Sequence, residues 1–371
     1  MKVGIVLSSL QGGGSERLHI ELSKEFLKSD LEVDFILLNA ESGNTGLHSL
    51  MPNECKIISL NTKRIRSAIL PMKHQFNKGC YDILMVAQWP LTIIASIALF
   101  LSSSHAKIIF TEHTNLSASR KEELKIPLFL LKISISIFYK FADHIITVSE
   151  GIKNDLNELG VKKKDNISVI YNPVSIKDYT PLKIAIEDIS KYWEEGFANK
   201  ILAVGSLKRQ KNFLNLVEAF SKLPDDKKSN SQVTILGEGN ERQKIQEMIS
   251  NLNLQDQIIL RGFKLDPRPW FDSANLFVLS SSWEGFGNVL VEAMQSRLPI
   301  VSTDCPSGPR EILADGEYGA LVEPDNPELL SLCISEALDK SYDLETIYKR
   351  SQEFTIEKAG NKYLTIFQEL I

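Results

Sequence analysis

Short apolar runs alternate with longer amphipathic segments along the whole chain, in two series separated by a polar, irregular stretch. This alternation is typical of β–α–β units, in which helices connect the parallel strands of a sheet. The predicted strands are 2–8, 32–38, 56–60, 82–87, 107–111, 144–148 and 167–170 in the first series and 200–204, 232–236, 257–261, 276–279, 299–302 and 318–322 in the second. We therefore predict an α/β fold with two parallel sheets.

The chain of 371 residues is longer than one hydrophobic core usually supports, since single cores stop growing at about 250 to 300 residues. The periodic pattern is lost between 173 and 199, which separates the two strand series. We predict an N-terminal Rossmann-like domain over 1–175, a C-terminal Rossmann-like domain over 176–354 and a final helix over 355–371. Open parallel sheets bind ligands at the carboxyl ends of their strands, so we expect the site in the loops that follow strands.

The composition, with 43% hydrophobic and 24% charged residues, excludes a disordered chain, a collagen or a coiled coil as the main structure. The net charge of -5 is uneven, because residues 1–175 hold 20 basic against 17 acidic side chains (+3) and the remainder holds 22 against 30 (-8). A nucleic-acid-binding protein usually presents a denser basic face than this. We therefore expect no nucleic-acid partner, and we expect the first half to meet an anionic membrane or a phosphate-bearing acceptor.

Cysteine usage and the absence of long apolar runs point to the cytoplasm. The four cysteines are widely spaced and form no C-x-x-C pair: Cys55, Cys80, Cys305 and Cys333. Met1 leads directly into a predicted strand, so we expect no signal peptide. A membrane-spanning helix needs about 20 apolar residues, and the runs 89–101 and 126–139 are shorter than that. We expect a cytoplasmic protein with peripheral contact at the inner face of the cell membrane.

A glycine-rich loop, Gln11-Gly12-Gly13-Gly14-Ser15, follows the first predicted strand. Ser15 suits the N-cap of a helix that carries Leu18, Leu22 and Phe26 on one face. Glycines let the backbone approach a ligand closely, and a helix N-terminus attracts phosphate. The spacing is neither a dinucleotide fingerprint nor a Walker loop. The loop is therefore a candidate phosphate or acceptor site, with a simple tight turn as the alternative.

The second series repeats this arrangement in two loops. Residues 237–240, Gly-Glu-Gly-Asn, follow one predicted strand, and residues 205–212 follow the strand before it in the chain. The second of these loops contains Lys208, Arg209 and Lys211, whose charges would neutralise a diphosphate at the end of a strand. The alternative is a solvated basic loop.

The segment 281–292, Ser-Ser-Trp-Glu-Gly-Phe-Gly-Asn-Val-Leu-Val-Glu, places two carboxylates eight positions apart around the start of a helix. We predict that Asn288 caps this helix, which runs to about Arg297. Glu284 lies in the loop and Glu292 on the first turns of the helix. Carboxylates accept hydrogen bonds from sugar or ribose hydroxyls, while a helix N-terminus receives phosphate. One site would thus hold a hydroxyl-rich ring and an anion together.

These motifs, in this order, resemble family 4 of the glycosyltransferases, and the resemblance covers nearly the whole chain. In the second half it rests on the Lys211 loop, Gly237-Glu238-Gly239, Leu260-Arg261-Gly262-Phe263, the 284–292 element and Pro299-Ile300-Val301-Ser302-Thr303. In the first half it rests on the glycine-rich loop, Glu112-His113, Val148-Ser149-Glu150 and Tyr171-Asn172-Pro173. The resemblance implies a GT-B fold, with two Rossmann-like domains facing a central cleft and a C-terminal helix that crosses back to the first domain.

The resemblance also implies roles for individual residues. Lys211, Glu284 and His113 would be catalytic, Lys211 on the donor diphosphate and the other two beside the transferred sugar. The remaining donor-binding residues would be Glu292 on the ribose, Gly262 and Phe263 beside the base, Gly237 in the strand-end turn, Gly285, Phe286, Gly287 and Asn288 around sugar and phosphate, and Gly13 and Gly14 on the diphosphate. Ser206 is also a candidate donor-binding residue, although members of the family often have Arg at this position. We expect Arg209 or Lys208 to supply that second charge.

The implied chemistry is retaining transfer from a nucleoside diphosphate sugar. The resemblance is greatest to enzymes that use UDP-linked hexoses or N-acetylhexosamines to build surface glycans. No Asp-x-Asp stands at a strand end, so we expect no divalent metal and no cofactor, with cations and helix N-termini stabilising the leaving diphosphate. The family implies front-face attack by the acceptor hydroxyl without an enzymatic nucleophile.

Two segments of the first half suggest the acceptor and the membrane. Residues 63–78 place apolar side chains on one helical face with cations around it, and Pro71 predicts a kink or two short helices. Here Lys63, Arg64, Arg66 and Lys73 are candidates to bind the pyrophosphate of a polyprenyl-linked acceptor, the alternative being a helix packed on the core. Residues 121–141 are apolar on most sides, and we expect core burial of a stripe formed by Leu124, Leu128, Leu131, Ile135 and Phe138, with membrane contact as the alternative.

Other functions remain compatible with two Rossmann-like domains, because a fold does not determine a reaction. A nucleotide-sugar epimerase would convert the donor without an acceptor, and a phosphorylase would require inorganic phosphate. A non-catalytic nucleotide-sugar-binding protein would bind the donor without turnover. A nicotinamide-dependent dehydrogenase is the weakest alternative, because neither glycine loop has the dinucleotide spacing.

Overall fold

The computed structural model describes the chain except for residues 11–13, 40–45, 63, 121–124, 162–165, 175, 177–178 and 183–185. The described residues form two compact units. One unit is Met1–Pro173 together with Ile356–Ile371, and the other is Val174–Thr355. The chain therefore leaves the first unit, forms the second and returns to the first with its last helix.

The first unit is a seven-stranded parallel sheet with the strand order β3-β2-β1-β4-β5-β6-β7. Its strands are β1 (Lys2–Leu7), β2 (Glu32–Leu37), β3 (Lys56–Ser59), β4 (Ile83–Ala87), β5 (Lys107–Glu112), β6 (His144–Thr147) and β7 (Ile167–Val169). Its helices are α1 (Gly14–Lys28), α2 (Ile69–Gly79), α3 (Leu91–Phe100), α4 (Leu116–Ser119), α5 (Leu128–Phe138) and α6 (Glu150–Leu159), with 3-10 turns at Gly46–Leu50, Ile65–Ala68 and Tyr139–Phe141.

The second unit is a six-stranded parallel sheet with the strand order β10-β9-β8-β11-β12-β13. Its strands are β8 (Asn199–Val204), β9 (Ser231–Leu236), β10 (Ile258–Gly262), β11 (Leu276–Leu279), β12 (Ile300–Thr303) and β13 (Ala320–Val322). Its helices are α7 (Phe213–Ser221), α8 (Asp225–Ser229), α9 (Arg242–Asn251), α10 (Arg268–Phe271), α11 (Asn288–Gln295), α12 (Pro309–Ile312), α13 (Pro327–Asp339) and α14 (Leu344–Ser351), with 3-10 turns at Ile186–Lys191, Arg209–Lys211, Ala314–Gly316 and Gln352–Phe354.

Both sheets have the strand order of a Rossmann-like fold, which confirms the predicted fold class. Central strands such as β1 and β9 are buried on both faces, as expected where helices cover a parallel sheet. In each sheet the order reverses beside the first strand, between β1 and β4 and between β8 and β11. Ligands of open α/β sheets bind at this switch point, outside the carboxyl ends of the strands.

The last helix, α15 (Ile356–Leu370), completes the core of the first unit. Its Phe367 is fully buried, and the Phe26 ring of α1 lies 5.1 Å from the Phe367 ring. Tyr363 packs edge-on against Phe26 at 6.1 Å. An added Cβ at Gly360 would lie 3.1 Å from Cβ of Glu25, so the two helices are in close contact. The final helix is therefore an integral layer of the first unit.

Two predicted helix caps are wrong. Helix α1 already begins at Gly14, so Ser15 lies in its first turn and is not the cap. Helix α11 begins at Asn288, and its N-cap is Gly287, which has a positive φ of 100°. Glycine adopts this conformation without the steric penalty that other residues pay, so it takes the turn just before the helix. Helix α11 also ends at Gln295 rather than near Arg297.

The region that contains Pro71 forms a 3-10 turn followed by α2, in agreement with the expectation of two short helices. Pro71 lies in the first turn of α2, where its missing N–H removes no helical hydrogen bond. The expectation of a buried stripe in 121–141 is wrong in part. In α5 only Leu131 and Ile135 are buried, whereas Leu128 is exposed and Leu124 lies outside the described residues.

Candidate active site

In the second unit the candidate residues converge at the carboxyl ends of β8, β9 and β11. These strands are neighbours in the sheet, so the loops that follow them meet at the switch point. The loop after β8 carries Lys211, and the loop after β11 carries Glu284. The main chains of the two loops are joined directly, because the amide N of Ser282 donates to the carbonyl O of Gln210 at 2.8 Å.

Lys211 and Glu284 form an ion pair, with Nζ 2.5 Å from Oε1. The side chains are only 16% and 6% exposed, respectively. Ser281 Oγ donates to the same carboxylate oxygen at 2.6 Å, and Ser280 Oγ donates to the carbonyl O of Lys211 at 2.9 Å. A buried ion pair is costly to desolvate and is retained where geometry and extra hydrogen bonds support it. The pair thus fixes one cation and one carboxylate side by side at the strand ends.

Two further side chains hold the β8 loop against the β11 loop. Gln210 Nε2 donates to the carbonyl O of Trp283 at 3.0 Å. Asn212, which has a left-handed backbone with φ 45°, donates from Nδ2 to Ser282 Oγ at 3.2 Å. Gln210, Ser281 and Asn212 were not predicted as site residues. Their sequence signal is their position beside Lys211 and Glu284.

The turn after β9 requires glycine because it touches the β8 loop. Gly237 has φ +149°, and a Cβ added there would lie 1.9 Å from the carbonyl O of Gly205. The amide of Gly237 donates to the carbonyl O of Gly262 at 3.0 Å, which ties the turn to the end of β10. The next residue, Phe263, is 70% exposed. An exposed aromatic side chain here offers a stacking surface at the edge of the strand-end region.

The loop between β11 and α11 is held by a second close contact, with the loop after β12. Gly308, which follows β12, has φ +97°, and an added Cβ would lie 1.8 Å from the carbonyl O of Phe286. The amide of Glu284 donates to the carbonyl O of Pro306 at 3.1 Å. These contacts hold the 284–288 segment in front of the N-terminus of α11, the end of a helix that attracts anions. Glu292 lies on the second turn of the same helix and is partly exposed.

The predicted second cation stays a prediction. Ser206, Lys208 and Arg209 all have exposed side chains in the β8 loop, and Arg209 begins the 3-10 turn that ends at Lys211. Two positively charged side chains therefore accompany Lys211 on the loop where the family often has an additional Arg.

In the first unit, the structure describes Gly14 as the exposed first residue of α1, while Gly13 lies outside the described residues. His113 follows β5 and is buried, and its ring lies 5.3 Å from the ring of His19 in α1. Thr111 Oγ1 joins the two rings, at 3.2 Å from His113 Nε2 and 3.4 Å from His19 Nε2. His19 and Thr111 were not predicted as site residues. Their sequence signal is that each is a polar residue beside apolar ones, His19 within α1 and Thr111 near the end of β5.

The hydrogen bonds determine which nitrogen of His113 carries the proton. His19 Nδ1 donates to the carbonyl O of Ser15 at 2.7 Å, and burial lowers the pKa of His19 to about 4, so its Nε2 is an acceptor. Thr111 then donates to His19 and accepts from His113 Nε2–H. Burial and the neighbouring His19 also hold the pKa of His113 well below its usual value. His113 therefore presents an unprotonated Nδ1, a buried atom without a protein partner among the described residues.

Glu112, which precedes His113, is fully buried at the end of β5. Its Oε1 accepts a hydrogen bond from the amide of Trp89 at 3.0 Å and another from the hydroxyl of Tyr139. Its Oε2 has no partner within the described part of the chain. Burial raises the pKa of Glu112 to about 8, so this carboxyl is protonated at neutral pH. Glu112 thus acts as a neutral hydrogen-bonding group that fixes the loop after β4 beside β5.

The predicted acceptor residues are only partly brought together. Arg64 and Arg66 line a cavity of about 520 Å³ with Ile65, Pro90, Ile93 and Ile94. Neither guanidinium has an ion-pair or hydrogen-bond partner among the residues that the structure describes. Lys73 lies on α2 and does not line this cavity, and Lys63 lies outside the described residues. The cavity thus combines apolar walls with two arginines that have no ion-pair partner in the described part of the chain.

No helix in the described part of the chain is both long and apolar enough to span a bilayer. No group of three or more His, Cys, Asp or Glu side chains in the described ranges is placed so that it would hold a metal ion.

Two family models match the chain. The one described as Glycosyltransferase Family 4 matches residues 12–178, and the one described as Glycosyl transferases group 1 matches residues 187–354. Among curated relatives, the chain is 29% identical to the N-acetylgalactosamine-N,N'-diacetylbacillosaminyl-diphospho-undecaprenol 4-alpha-N-acetylgalactosaminyltransferase of Campylobacter jejuni, over 98% of this chain and 99% of the relative.

Solved structures share the fold over the full chain. The lipopolysaccharide outer core galactosyltransferase WaaB, in its apo form, has a TM-score of 0.75 at 22% identity, with 100% of both chains covered. Anabaena HepE, in complex with UDP-glucose, has a TM-score of 0.81 at 20% identity, again with 100% of both chains covered. These similarities confirm the GT-B class of two Rossmann-like domains.

Proposed function

The chain belongs to family 4 of the glycosyltransferases, and from this premise we propose that it is a retaining enzyme that transfers a hexose or N-acetylhexosamine from a UDP-sugar. The proposed acceptor is a polyprenyl-diphosphate-linked glycan in the synthesis of a surface polysaccharide or glycoconjugate. The single observation that carries the donor site is the supported Lys211–Glu284 pair in front of α11. The pair supports the proposal because its cation suits a phosphate and its carboxylate suits hydroxyl groups, and both lie at one switch point.

The relatives support the choice of donor and acceptor. The Campylobacter jejuni relative is named for transfer of N-acetylgalactosamine onto a diphospho-undecaprenol-linked glycan. The HepE structure holds UDP-glucose. In this chain, a cavity lined by Arg64, Arg66 and isoleucines has the chemistry that a diphosphate on an apolar chain requires. We accordingly propose a peripheral position at the inner face of an anionic membrane and no nucleic-acid partner.

In the proposed reaction, the diphosphate leaves the anomeric carbon as the acceptor hydroxyl attacks from the same face. The bond from the anomeric carbon to the phosphate oxygen breaks, the bond to the acceptor oxygen forms, and the leaving phosphate takes the acceptor's proton. The configuration is kept without an enzymatic nucleophile. Lys211, with Arg209 or Lys208, and the N-terminus of α11 stabilise the charge that develops on the diphosphate. We propose that no divalent metal and no cofactor is needed.

The other candidate residues orient the donor. Glu292 accepts hydrogen bonds from the ribose, and Gly262 and Phe263 flank the base. Glu284, once Lys211 engages phosphate, accepts from a hydroxyl of the transferred sugar. The unprotonated Nδ1 of His113 also accepts from a sugar hydroxyl, since a buried acceptor without a protein partner is unfavourable unless a ligand supplies one.

The donor site is tested by melting temperature in the presence of EDTA with UDP, GDP or ADP at equal concentration. A ligand at about 100 times its dissociation constant stabilises the folded protein by roughly 2.7 kcal/mol. We expect an upward shift with UDP that Glu292→Ala abolishes and that the exposed control Glu317→Ala retains. A shift with GDP alone would overturn the UDP assignment, and no shift with any nucleotide would overturn the site. Conversion of the UDP-sugar without acceptor would identify an epimerase instead.

A further inference from the structure

Helix α5 of the first unit packs against the protein by one narrow edge. Its buried side chains are Leu131 and Ile135, one helical turn apart. The opposite face carries Phe129, which is 62% exposed, together with Ile133 and Ile137, which are about half exposed. These three residues are spaced by four and form a continuous apolar stripe. A water-facing stripe of large apolar side chains marks an interaction surface rather than ordinary folding.

The apolar stripe continues onto neighbouring elements. Phe141, just after α5, is exposed, and its ring lies 6.4 Å from the ring of Phe100 at the end of α3. Phe100 is 75% exposed. Leu101 extends the same surface. We call the surface formed by Phe100, Leu101, Phe129, Ile133, Ile137 and Phe141 the apolar face.

The charged side chains on α2, α3 and α5 are all basic. Acidic residues begin beside these helices, at Asp143 after Phe141 and on α6, which packs against α5. The sequence has no Asp or Glu within 55–81, 83–111 or 124–142, the stretches that contain α2, α3 and α5. These helices are packed together, α2 on α3 and α3 on α5. Lys132 and Lys140 are exposed on α5 and just beyond it. Arg64 and Arg66 line the cavity against Ile93 and Ile94 of α3.

We propose that the apolar face lies in the interfacial layer of an anionic bilayer, with Phe129, Ile133 and Ile137 inserted between headgroups. This inference rests on the proposed function, because an acceptor carried on a membrane lipid is reached at the bilayer surface. Helix α5 has 11 residues, about 16 Å of helix, which is half the thickness of the hydrocarbon core. It therefore lies along the membrane plane. Lysines at its border attract anionic headgroups, as in other interfacial helices.

The occupant is a bilayer rather than a second protein because of the charge pattern. A protein partner would need a matching acidic surface, and a second copy of this chain would bring its own cations to the same place. Like charges brought together at an interface are unfavourable. An anionic bilayer offers the required negative charge together with an apolar layer.

The test is co-sedimentation of the full chain with vesicles of phosphatidylcholine alone or mixed with phosphatidylglycerol. The wild type is expected to bind the mixed vesicles and to bind them less as salt rises. Ile133→Asn with Ile137→Asn is expected to lower the partition coefficient by at least about ten-fold, since each buried aliphatic side chain contributes substantially to transfer from water. Leu332→Asn is the matched control, because Leu332 is 53% exposed, close to the 51% of Ile133, but lies on α13 of the second unit.

A charge variant tests the second half of the argument. Lys132→Glu with Lys140→Glu is expected to lower binding to mixed vesicles by about ten-fold or more, whereas Lys349→Glu, an exposed residue of the second unit, leaves it unchanged. Melting temperature and its shift with UDP show that each variant is folded with an intact donor site. Equal vesicle binding by wild type and both double variants would overturn the inference. The inference would also be overturned if the wild type were a dimer, and if Ile133→Asn with Ile137→Asn made it a monomer without changing vesicle binding.

The outcome does not depend on turnover. Vesicle binding with no detectable sugar transfer would leave the apolar face in place and count against the proposed function. Sugar transfer to a lipid-linked acceptor by variants and wild type alike, with no vesicle binding by either, would retain the proposed function and reject the surface.

Discussion

The ammonium of Lys211 lies 2.5 Å from the carboxylate of Glu284, although the two residues are 73 positions apart in the chain. Neither side chain is well exposed, so each charge depends on the other for compensation until a ligand arrives. The pair therefore has two functions that separate variants can distinguish. It stabilises the loops after β8 and β11, and it supplies the groups that we propose for the donor diphosphate and sugar.

Lys211→Met is expected to destabilise the protein by about 1 to 3 kcal/mol, because Glu284 is left in a largely buried position without a cation. Transfer should fall by about 10²- to 10³-fold in kcat, as for the loss of one group that stabilises a developing charge. Adding Glu284→Gln should restore most of the stability and none of the activity. Denaturant unfolding and steady-state kinetics would measure both effects. A stable but inactive single variant would contradict the proposed role of the pair in holding the loops.

Thr111→Val is expected to weaken binding of the sugar part of the donor while leaving UDP affinity unchanged. Without the threonine hydroxyl, His113 Nε2–H loses its acceptor, and the ring is free to adopt the tautomer whose Nδ1 cannot accept a hydrogen bond. We expect KM for the UDP-sugar to rise by about ten-fold, the scale of one hydrogen bond in a buried site. Thr111→Ser, which keeps the hydroxyl, should behave as wild type. Equal losses of UDP and UDP-sugar affinity would refute the assignment.

The stability of the wild type is expected to fall as the pH rises, in part because of Glu112, and Glu112→Gln is expected to abolish that part of the fall. Burial raises the pKa of Glu112 from 4.5 to about 8, so the folded protein holds this proton more tightly than the unfolded chain. Stability from this group is complete below about pH 4.5 and is lost as the pH rises through 8. The variant should therefore gain in melting temperature relative to wild type between pH 5 and pH 9, whereas the exposed control Glu32→Gln should not. Parallel pH profiles for Glu112→Gln and wild type would contradict the shifted pKa.

Gly237→Ala is expected to disrupt the contact between the turn after β9 and the loop after β8. The new methyl group would overlap the carbonyl O of Gly205, and the backbone there has a positive φ. Gly316→Ala is the matched control, since Gly316 also has a positive φ of 99° but an added Cβ would meet nothing within 4 Å. The free energy of unfolding of the control should fall by about 1 kcal/mol from backbone strain alone. That of Gly237→Ala should fall by several kcal/mol, and this variant should also lose the rise in melting temperature with UDP. Equal losses in the two variants would show that the contact with Gly205 is unimportant.

The sequence was sufficient to predict the two sheets because each strand is a short apolar run between turn signals. All thirteen predicted strands are present, with ends that differ by a residue or two. The Lys211 loop and the segment 284–292 were recognisable because the residues of each lie close together in the chain. Their convergence followed from the rule that parallel strands bring their carboxyl ends to one edge.

The remaining features depend on three-dimensional packing that periodicity does not encode. Thr111 meets His19 only because α1 packs across the sheet, 92 residues away in the chain. In α5 nearly every side chain is apolar, so the hydrophobic pattern does not show which edge is buried. The cap of α11 was misplaced because Gly287 has a positive φ, a backbone conformation that favours glycine over the expected polar residue.

The return of α15 to the first unit determines when that unit can finish folding. Phe26 of α1 packs against Phe367, a residue that follows the whole second unit in the chain. During synthesis the second unit emerges completely before α15 does. Until then, the apolar side chains of the first unit that α15 covers remain exposed. A chain that terminates after Thr355 would retain every proposed donor residue of the second unit, yet its first unit would lack part of its core. We therefore expect such products to be removed by cellular quality control rather than to accumulate as partly active enzyme.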